Sequence, residues 1–148
     1  MNLKQQLRHD LTAAMRARDD RKKSVLRMAL SAIQLAEVEK KGELSDEDVL
    51  IILRKEVRSR EDALVTIKEA GRAEMAAEEA AELEILKAYL PQLMEADAVK
   101  VLAQSAIDEV QATSPRDMGK VMKVLMPQVR GKADGRMVSE IVRALLAA

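Results

Sequence analysis

An all-α fold is predicted by three features of the chain. There is no Phe, no Trp and a single Tyr, Tyr89, among 148 residues, so the aromatic side chains that favour strands are missing. The hydrophobic 48% is Ala, Leu, Val, Ile and nine Met, interleaved with Glu, Lys and Arg, and most of these are good helix formers. Five Gly and three Pro leave few breaks, so the helices must be long. With 34% charged residues the composition is that of a folded domain with a real core, not of a disordered chain.

The elements follow in order. Leu3, Leu7, Leu11 and Met15 recur every four residues behind Asn2, a helix with an N-cap. A second helix runs from about 21 to 41 and meets Gly42, where a left-handed residue can close it. Its apolar face is Val25, Met28, Ala29, Ala32, Ile33 and Ala36, with Arg27, Ser31 and Gln34 opposite. Ser45 and Asp48 form a capping-box pattern that opens a third helix, about 46–70, ending at Gly71. Arg60 falls inside its apolar stripe of Val49, Leu53, Val57, Leu64 and Ile67, which predicts a snorkelling stem whose head pairs with a carboxylate. An Ala/Glu-rich helix, about 74–88, carries Glu74, Glu78, Glu79, Glu82 and Glu84, read as a solvated face.

Tyr89-Leu90-Pro91 ends that helix, because the residue before a proline is pushed out of helical geometry. The expected organisation is an N-terminal bundle of long helices with a helical hairpin over 1–91, then a compact three-helix domain over 92–148. The second part opens with a helix of about 96–112. Ser114-Pro115-Arg116-Asp117 then reads as a helix start, with Ser as cap and Pro at the first position. That helix should stop near Met126, ahead of Pro127. Asp134 caps a last helix holding Met137, Val138, Ile141, Val142 and Leu145.

The stretch from Asp117 to Gly135 is the most informative in the chain. At about 100° per residue, Met118, Val121, Met122 and Leu125 share the core side, while Arg116, Lys120 and Lys123 lie almost opposite. Gly119 sits between, and an interior Gly costs about 1 kcal/mol relative to Ala. Another backbone is therefore expected against it, either a neighbouring helix, the favoured reading, or a ligand. Arg130, Gly131, Lys132, Asp134, Gly135 and Arg136 form a basic, glycine-containing loop. From Thr113 to Ala148 seven Lys/Arg stand against three Asp/Glu, a local net of +4 in a chain of net zero. Such a surface can accept phosphates at a helix N-terminus and through its cations. On charge alone a plain solvated basic surface explains it equally well.

The partner is constrained by the aromatic deficit. Reading unpaired bases relies on aromatic stacking platforms, so recognition of folded RNA by shape and backbone fits better than readout of a single strand. DNA binding is not expected, since the apolar last helix leaves few groups to reach base edges. No cysteine is present, which excludes disulfides, thiolate metal sites and cysteine nucleophiles and fits a reducing compartment. Neither an apolar leader core nor a run of about 18 apolar residues occurs, so a cytoplasmic protein without a membrane span is expected.

Asp117-Met118-Gly119-Lys120-Val121-Met122, followed by Gly131-Lys132-Ala133-Asp134-Gly135 and Val138, resembles the signature of the GatB/YqeY family. Ser24-Val25-Leu26-Arg27, Glu56 with Arg60 through Ala63, and Tyr89-Leu90-Pro91 are similar to the free-standing YqeY-like proteins, so the resemblance covers essentially the whole chain. It implies an N-terminal helical hairpin region and a C-terminal domain like the tail of the B subunit of glutamine-dependent aspartyl/glutamyl-tRNA amidotransferase. That tail is associated with tRNA binding, while the kinase and amidase chemistry lies elsewhere. The resemblance thus makes Gly119, Lys120, Gly131, Lys132, Asp134 and Gly135 the tRNA-facing or loop-shaping positions. It also implies tRNA or tRNA-like RNA as partner, with an amidotransferase or an aminoacyl-tRNA synthetase as candidate protein partner.

Carbon–nitrogen ligase activity with glutamine as amido donor belongs to the larger enzyme and reaches this chain by family only. Amide transfer needs a nucleophile, its base and an oxyanion hole. No Gly/Ser-rich nucleophile loop is visible, Ser45 and Ser114 read as caps, and His9 beside an apolar stripe reads as structural. No catalytic residue, metal ligand or cofactor site is therefore assigned. Two functions stand: an accessory protein binding tRNA through the basic C-terminal module, or a protein–protein adaptor docking through the long N-terminal helices and the Arg27/Ser31/Gln34 face.

Overall fold

The chain is all-α in a computed structural model that describes residues 1–148. Its helices are α1 (Leu3–Ala17), α2 (Asp20–Lys40), α3 (Asp46–Glu69), α4 (Ala73–Lys87), α5 (Ala96–Val110), α6 (Met118–Val129) and α7 (Gly135–Ala147), with a 3-10 turn, Pro115–Asp117, leading into α6. They fall into two compact units, Met1–Leu90 and Pro91–Ala148. No helix is long and apolar enough to cross a membrane.

In the first unit, Asn2 and Gln5 open α1 with a reciprocal capping box: Gln5 N–H donates to Asn2 Oδ1 at 2.8 Å, and Asn2 N–H donates to Gln5 Oε1 at 3.0 Å. Ser45 caps α3 as its sequence pattern requires, accepting from Asp48 N–H at 3.2 Å. The C-termini differ from expectation. The left-handed residue after α2 is Lys41 (φ 60°), not Gly42. Gly42 instead donates its N–H back to Glu37 O at 3.2 Å, the six-to-one bond of a Schellman ending. Arg18 after α1 and Gln111 after α5 are left-handed too, closed by Asp19 N–H to Ala14 O and Ala112 N–H to Ile107 O. In a glycine-poor chain, solvated long side chains thus occupy positions that glycine usually fills, at a cost of about 1–2 kcal/mol each.

The first unit packs Leu7, Val25, Leu26, Ala29, Ile33, Val49, Leu53, Val57, Leu83 and Leu86 into one core. Leu26 belongs to it, whereas Met28, assigned by periodicity to the buried side, is 53% exposed. A helix facing neighbours on one side only buries a stripe about 100° wide. Here that stripe is centred on Val25, Ala29 and Ile33, and Met28 lies past its edge. Met15 of α1 is likewise exposed, and Ala14 takes the buried place.

Arg60 is buried, and its Nη1 donates to Glu82 Oε2 at 2.7 Å and Glu79 Oε1 at 3.3 Å, joining α3 to α4. Two of the glutamates read as a solvated face therefore hold a buried cation. Tyr89 closes the unit, its hydroxyl donating to Asp10 Oδ2. Burial, and then that carboxylate, push the phenol well above its ordinary range. Glu37 accepts from Lys4 Nζ and from Leu44 N–H, which hold its carboxyl below the usual range.

The second unit is a three-helix cluster in which α5 packs against both α6 and α7. Val99, Ala103, Ala106, Val121, Leu125, Val129, Val138, Val142 and Leu146 form its core. Two sequence expectations fail here. Ser114 makes no side-chain cap bond, and the segment begins as a 3-10 turn; Asp117 folds back instead, its Oδ2 accepting from Thr113 N–H at 2.9 Å. That backbone bond leads the causes that hold the Asp117 carboxyl below its ordinary range. Pro127 does not stop α6 but lies within it. Proline removes one N–H and crowds the carbonyl four residues earlier, that of Lys123. Pro127 and Lys123 are both exposed, so water can satisfy that carbonyl while the apolar stripe carries the helix on to Val129.

Candidate nucleic-acid interface

The basic residues of the second unit occupy the outer side of α6 and the loop that follows it. Val121, Leu125 and Val129 turn inward and fix the rotation of α6, which leaves Gly119, Lys120 and Lys123 exposed. Arg116 is exposed on the 3-10 turn, which itself packs on α7. The tighter winding of a 3-10 turn, about 120° per residue rather than 100°, moves Arg116 off the stripe that a continuous α-helix would give.

The loop is held by its backbone. Arg130 N–H donates to Met126 O at 2.8 Å, and Lys132 and Ala133 N–H both donate to Val129 O, at 2.9 and 3.0 Å. Gly131 takes a left-handed conformation (φ 74°) and is buried, as is Ala133. Met94 N–H donates to Lys132 O at 2.9 Å, which anchors the strap before α5 to this loop. The carbonyl of Lys132 is thus fixed while its side chain stays exposed. Asp134 starts α7: its Oδ1 accepts from Arg136 N–H at 3.1 Å and its carbonyl accepts from Val138 N–H at 3.0 Å.

The sites read from sequence therefore fall into two groups. Arg116, Gly119, Lys120, Lys123, Arg130, Lys132 and Gly135 are exposed. Gly131 is buried and Asp134 serves as a helix cap, so these two shape the loop.

None of Arg116, Lys120, Lys123, Lys132 or Arg136 is held in an ion pair. The acids of the unit are divided. Val99, Ala103, Ala106 and Ile107 face the core, so Asp97, Asp108 and Glu109 are turned to the outside of α5. Asp117, by contrast, lies near enough to Lys120 to feel its charge, and Asp134 caps α7 within the basic loop. From Thr113 onward the cations outnumber the carboxylates by seven to three, a local excess hidden in a chain of net charge zero.

Gly119 does not meet a neighbouring helix. A Cβ built on it would find nothing within 4 Å, and its φ is not positive. The favoured expectation of a close intramolecular backbone is therefore wrong, and neither packing nor backbone conformation explains this glycine. His9 is exposed, not structural. What sequence reasoning missed is a groove of about 480 Å³ in the first unit, lined by Gln6, Asp10, Lys22, Ile85 and Tyr89 among others. Its polar groups come from α1, α2 and the end of α4, segments far apart in the chain, and periodicity carries no signal for such a meeting.

A family model described as Yqey-like protein matches residues 4–146. The chain is 32% identical over 112 residues to altered inheritance of mitochondria protein 41, mitochondrial, of Lachancea thermotolerans, covering 74% of this chain and 60% of that one. It is 36% identical over 88 residues to the protein of that name in Saccharomyces cerevisiae, covering 59% and 48%. An uncharacterised protein of Schizosaccharomyces pombe is 31% identical over 91 residues, covering 62% and 74%. The chain thus spans about half to three quarters of the length of these relatives. The expected cytoplasmic location does not stand, because two of the three relatives carry a mitochondrial designation. The lack of cysteine reads the same for a mitochondrial protein as for a cytosolic one.

Proposed function

The chain belongs to the YqeY-like protein family, and on that premise we propose that it is an accessory protein binding tRNA or tRNA-like folded RNA through the basic side of its C-terminal unit. Kinship with the tail of glutamine-dependent tRNA amidotransferase is part of this proposal, as a source of binding and not of chemistry. The observation that carries it is the exposed set Lys120, Lys123 and Lys132, none of them held in a salt bridge, around a Gly119 that nothing in the chain packs against. Exposed lysines outside salt bridges are open to phosphates, and a bare helix backbone admits a ribose–phosphate chain more closely than any side chain would. The rigid loop fixes where Lys132 emerges. With a single Tyr, hydrogen-bonded to Asp10, the protein offers no set of aromatic platforms for unpaired bases, which favours contacts to the backbone of a folded RNA.

The test is binding of a fluorescent folded tRNA, against a single strand of equal length, across a salt series. Lys120→Glu and Lys132→Glu should each weaken tRNA binding roughly tenfold and reduce the salt slope by about one per lost phosphate contact, with unchanged helical content. Equal affinity for both RNAs, or variants that bind as the wild type does, would refute the proposal.

A further inference from the structure

α2 has a second face that its own unit leaves largely uncovered, although Met28 Sδ on its edge accepts from Arg60 Nη2 at 3.5 Å. Arg21, Ser24, Met28, Ser31, Leu35 and Val38 follow one another at intervals of three and four residues, and all six are exposed. Met28, Leu35 and Val38 are 53%, 62% and 68% exposed, a large solvent-facing share for side chains of this kind in one helix. The alternation of three and four is the a/d spacing of a coiled-coil seam, about four and a half turns long. It lies beside the buried Val25, Ala29 and Ile33, so the helix carries, next to the stripe its unit covers, a second one on which Met28, Leu35 and Val38 are interspersed with polar residues.

We infer that this seam pairs with the same seam of a second copy of the chain, with the two α2 helices antiparallel. In an antiparallel pair the a and d layers alternate, so Met28 lies over the second copy's Ser31 and Leu35 over its Ser24. Met28 and Leu35 then each fill the space above a serine, the interdigitation close packing requires, and the same register lays the stem of Arg21 over the second copy's Val38. A parallel pair would stack Met28 on Met28, Leu35 on Leu35 and Ser31 on Ser31, and would bring Arg21 against Arg21. Charge selects the antiparallel direction as well. Arg21 and Glu39 lie 18 residues apart, five full turns, and so on the same side of the helix. Neither has an ion-pair partner within the chain. Antiparallel pairing about residue 30 sets Arg21 of each copy beside Glu39 of the other. It also sets Arg27 beside Gln34, and Asp20 beside Lys41. The surface is self-complementary in shape and in sign, the property a two-fold interface needs.

One seam of this length buries less than the roughly 1,200 Å² of a standard stable interface, so the dimer is weak and reversible. Sedimentation velocity of the full chain from about 10 μM to 1 mM should show a monomer–dimer equilibrium. Arg21→Glu and Glu39→Arg should each weaken it roughly tenfold, and the double variant should restore it to within about threefold. Leu35→Glu should leave a folded monomer at every concentration.

The chain has no cysteine, so single-cysteine variants report direction cleanly. Under a mild oxidant Ser31→Cys should cross-link to itself. Val38→Cys should not, since the two copies of residue 38 would stand roughly 25 Å apart along the helices. A wild type monomeric at 1 mM overturns the inference and leaves the seam to a helix of another protein. A double charge variant no better than the singles, or efficient cross-linking at residue 38, overturns the antiparallel pairing.

Discussion

Gly119→Ala separates the two reasons a glycine can sit in a helix. Gly119 is the second residue of α6, preceded by a 3-10 turn, so its peptide is already ordered on both sides. Its φ is not positive, and a methyl group there would meet nothing within 4 Å. Alanine should then recover the helix propensity that glycine forfeits, up to about 1 kcal/mol in a helix interior and somewhat less in a first turn. In a unit of this size 1 kcal/mol raises the melting temperature by about 4–8 °C. Thermal and urea unfolding followed by circular dichroism measures this directly. If the open space beside Gly119 is where RNA backbone approaches, the same methyl must weaken tRNA binding, by at least threefold, in the more stable protein. Loss of stability would mean that α6 packs there after all. Gain of stability with unchanged binding would place Gly119 outside the interface and remove the main support for the proposed surface. A binding loss arising from unfolding cannot mimic the expected result, because the two effects have opposite signs.

Arg60→Leu should destabilise the first unit by about 2–4 kcal/mol in urea unfolding, since it strands Glu79 and Glu82, which are only partly exposed. Removing both glutamates along with Arg60 should recover most of that loss. Tyr89→Phe should cost about 1 kcal/mol at neutral pH through the lost bond to Asp10. Because the folded state raises the Tyr89 pKa above its ordinary value near 10, the wild type gains stability from this group below pH 10 and loses it as pH rises further. Stability against pH from 8 to 12 should therefore fall less steeply in the phenylalanine variant. Pro127→Ala should lengthen no helix but stabilise α6, by about 1–3 kcal/mol, by restoring the donor to the Lys123 carbonyl; a melting temperature unchanged or lowered would show that the proline ring itself is needed where it sits.

Wherever the physics is local, the sequence is a sufficient guide. Asn2, Ser45 and Asp134 cap helices because a short side-chain acceptor can reach only the donors of the following turn. The inward faces of α6 and α7 follow from apolar spacing alone, and so do the exposed positions of Lys120 and Lys123. Legibility ends where two local signals compete. Pro127 would stop an isolated helix, yet the stripe ending in Val129 has a core to fill and carries α6 through it. Ser114 is a strong cap by type, but Asp117 reaches Thr113 N–H first and tightens the turn. The left-handed Arg18, Lys41 and Gln111 leave no trace in sequence, since their conformation is imposed by where the next helix must start.

By itself, then, the sequence determined an all-α chain, the register of most helices and a basic C-terminal segment, because propensity, capping and periodicity act over a few residues. Only the tertiary structure decided that Met28 falls outside the buried stripe of α2, which charges Arg60 meets, and that Gly119 borders open space. Those are contacts between residues distant in the chain. They depend on which neighbour arrives at a face, and a helical period states only that a face exists.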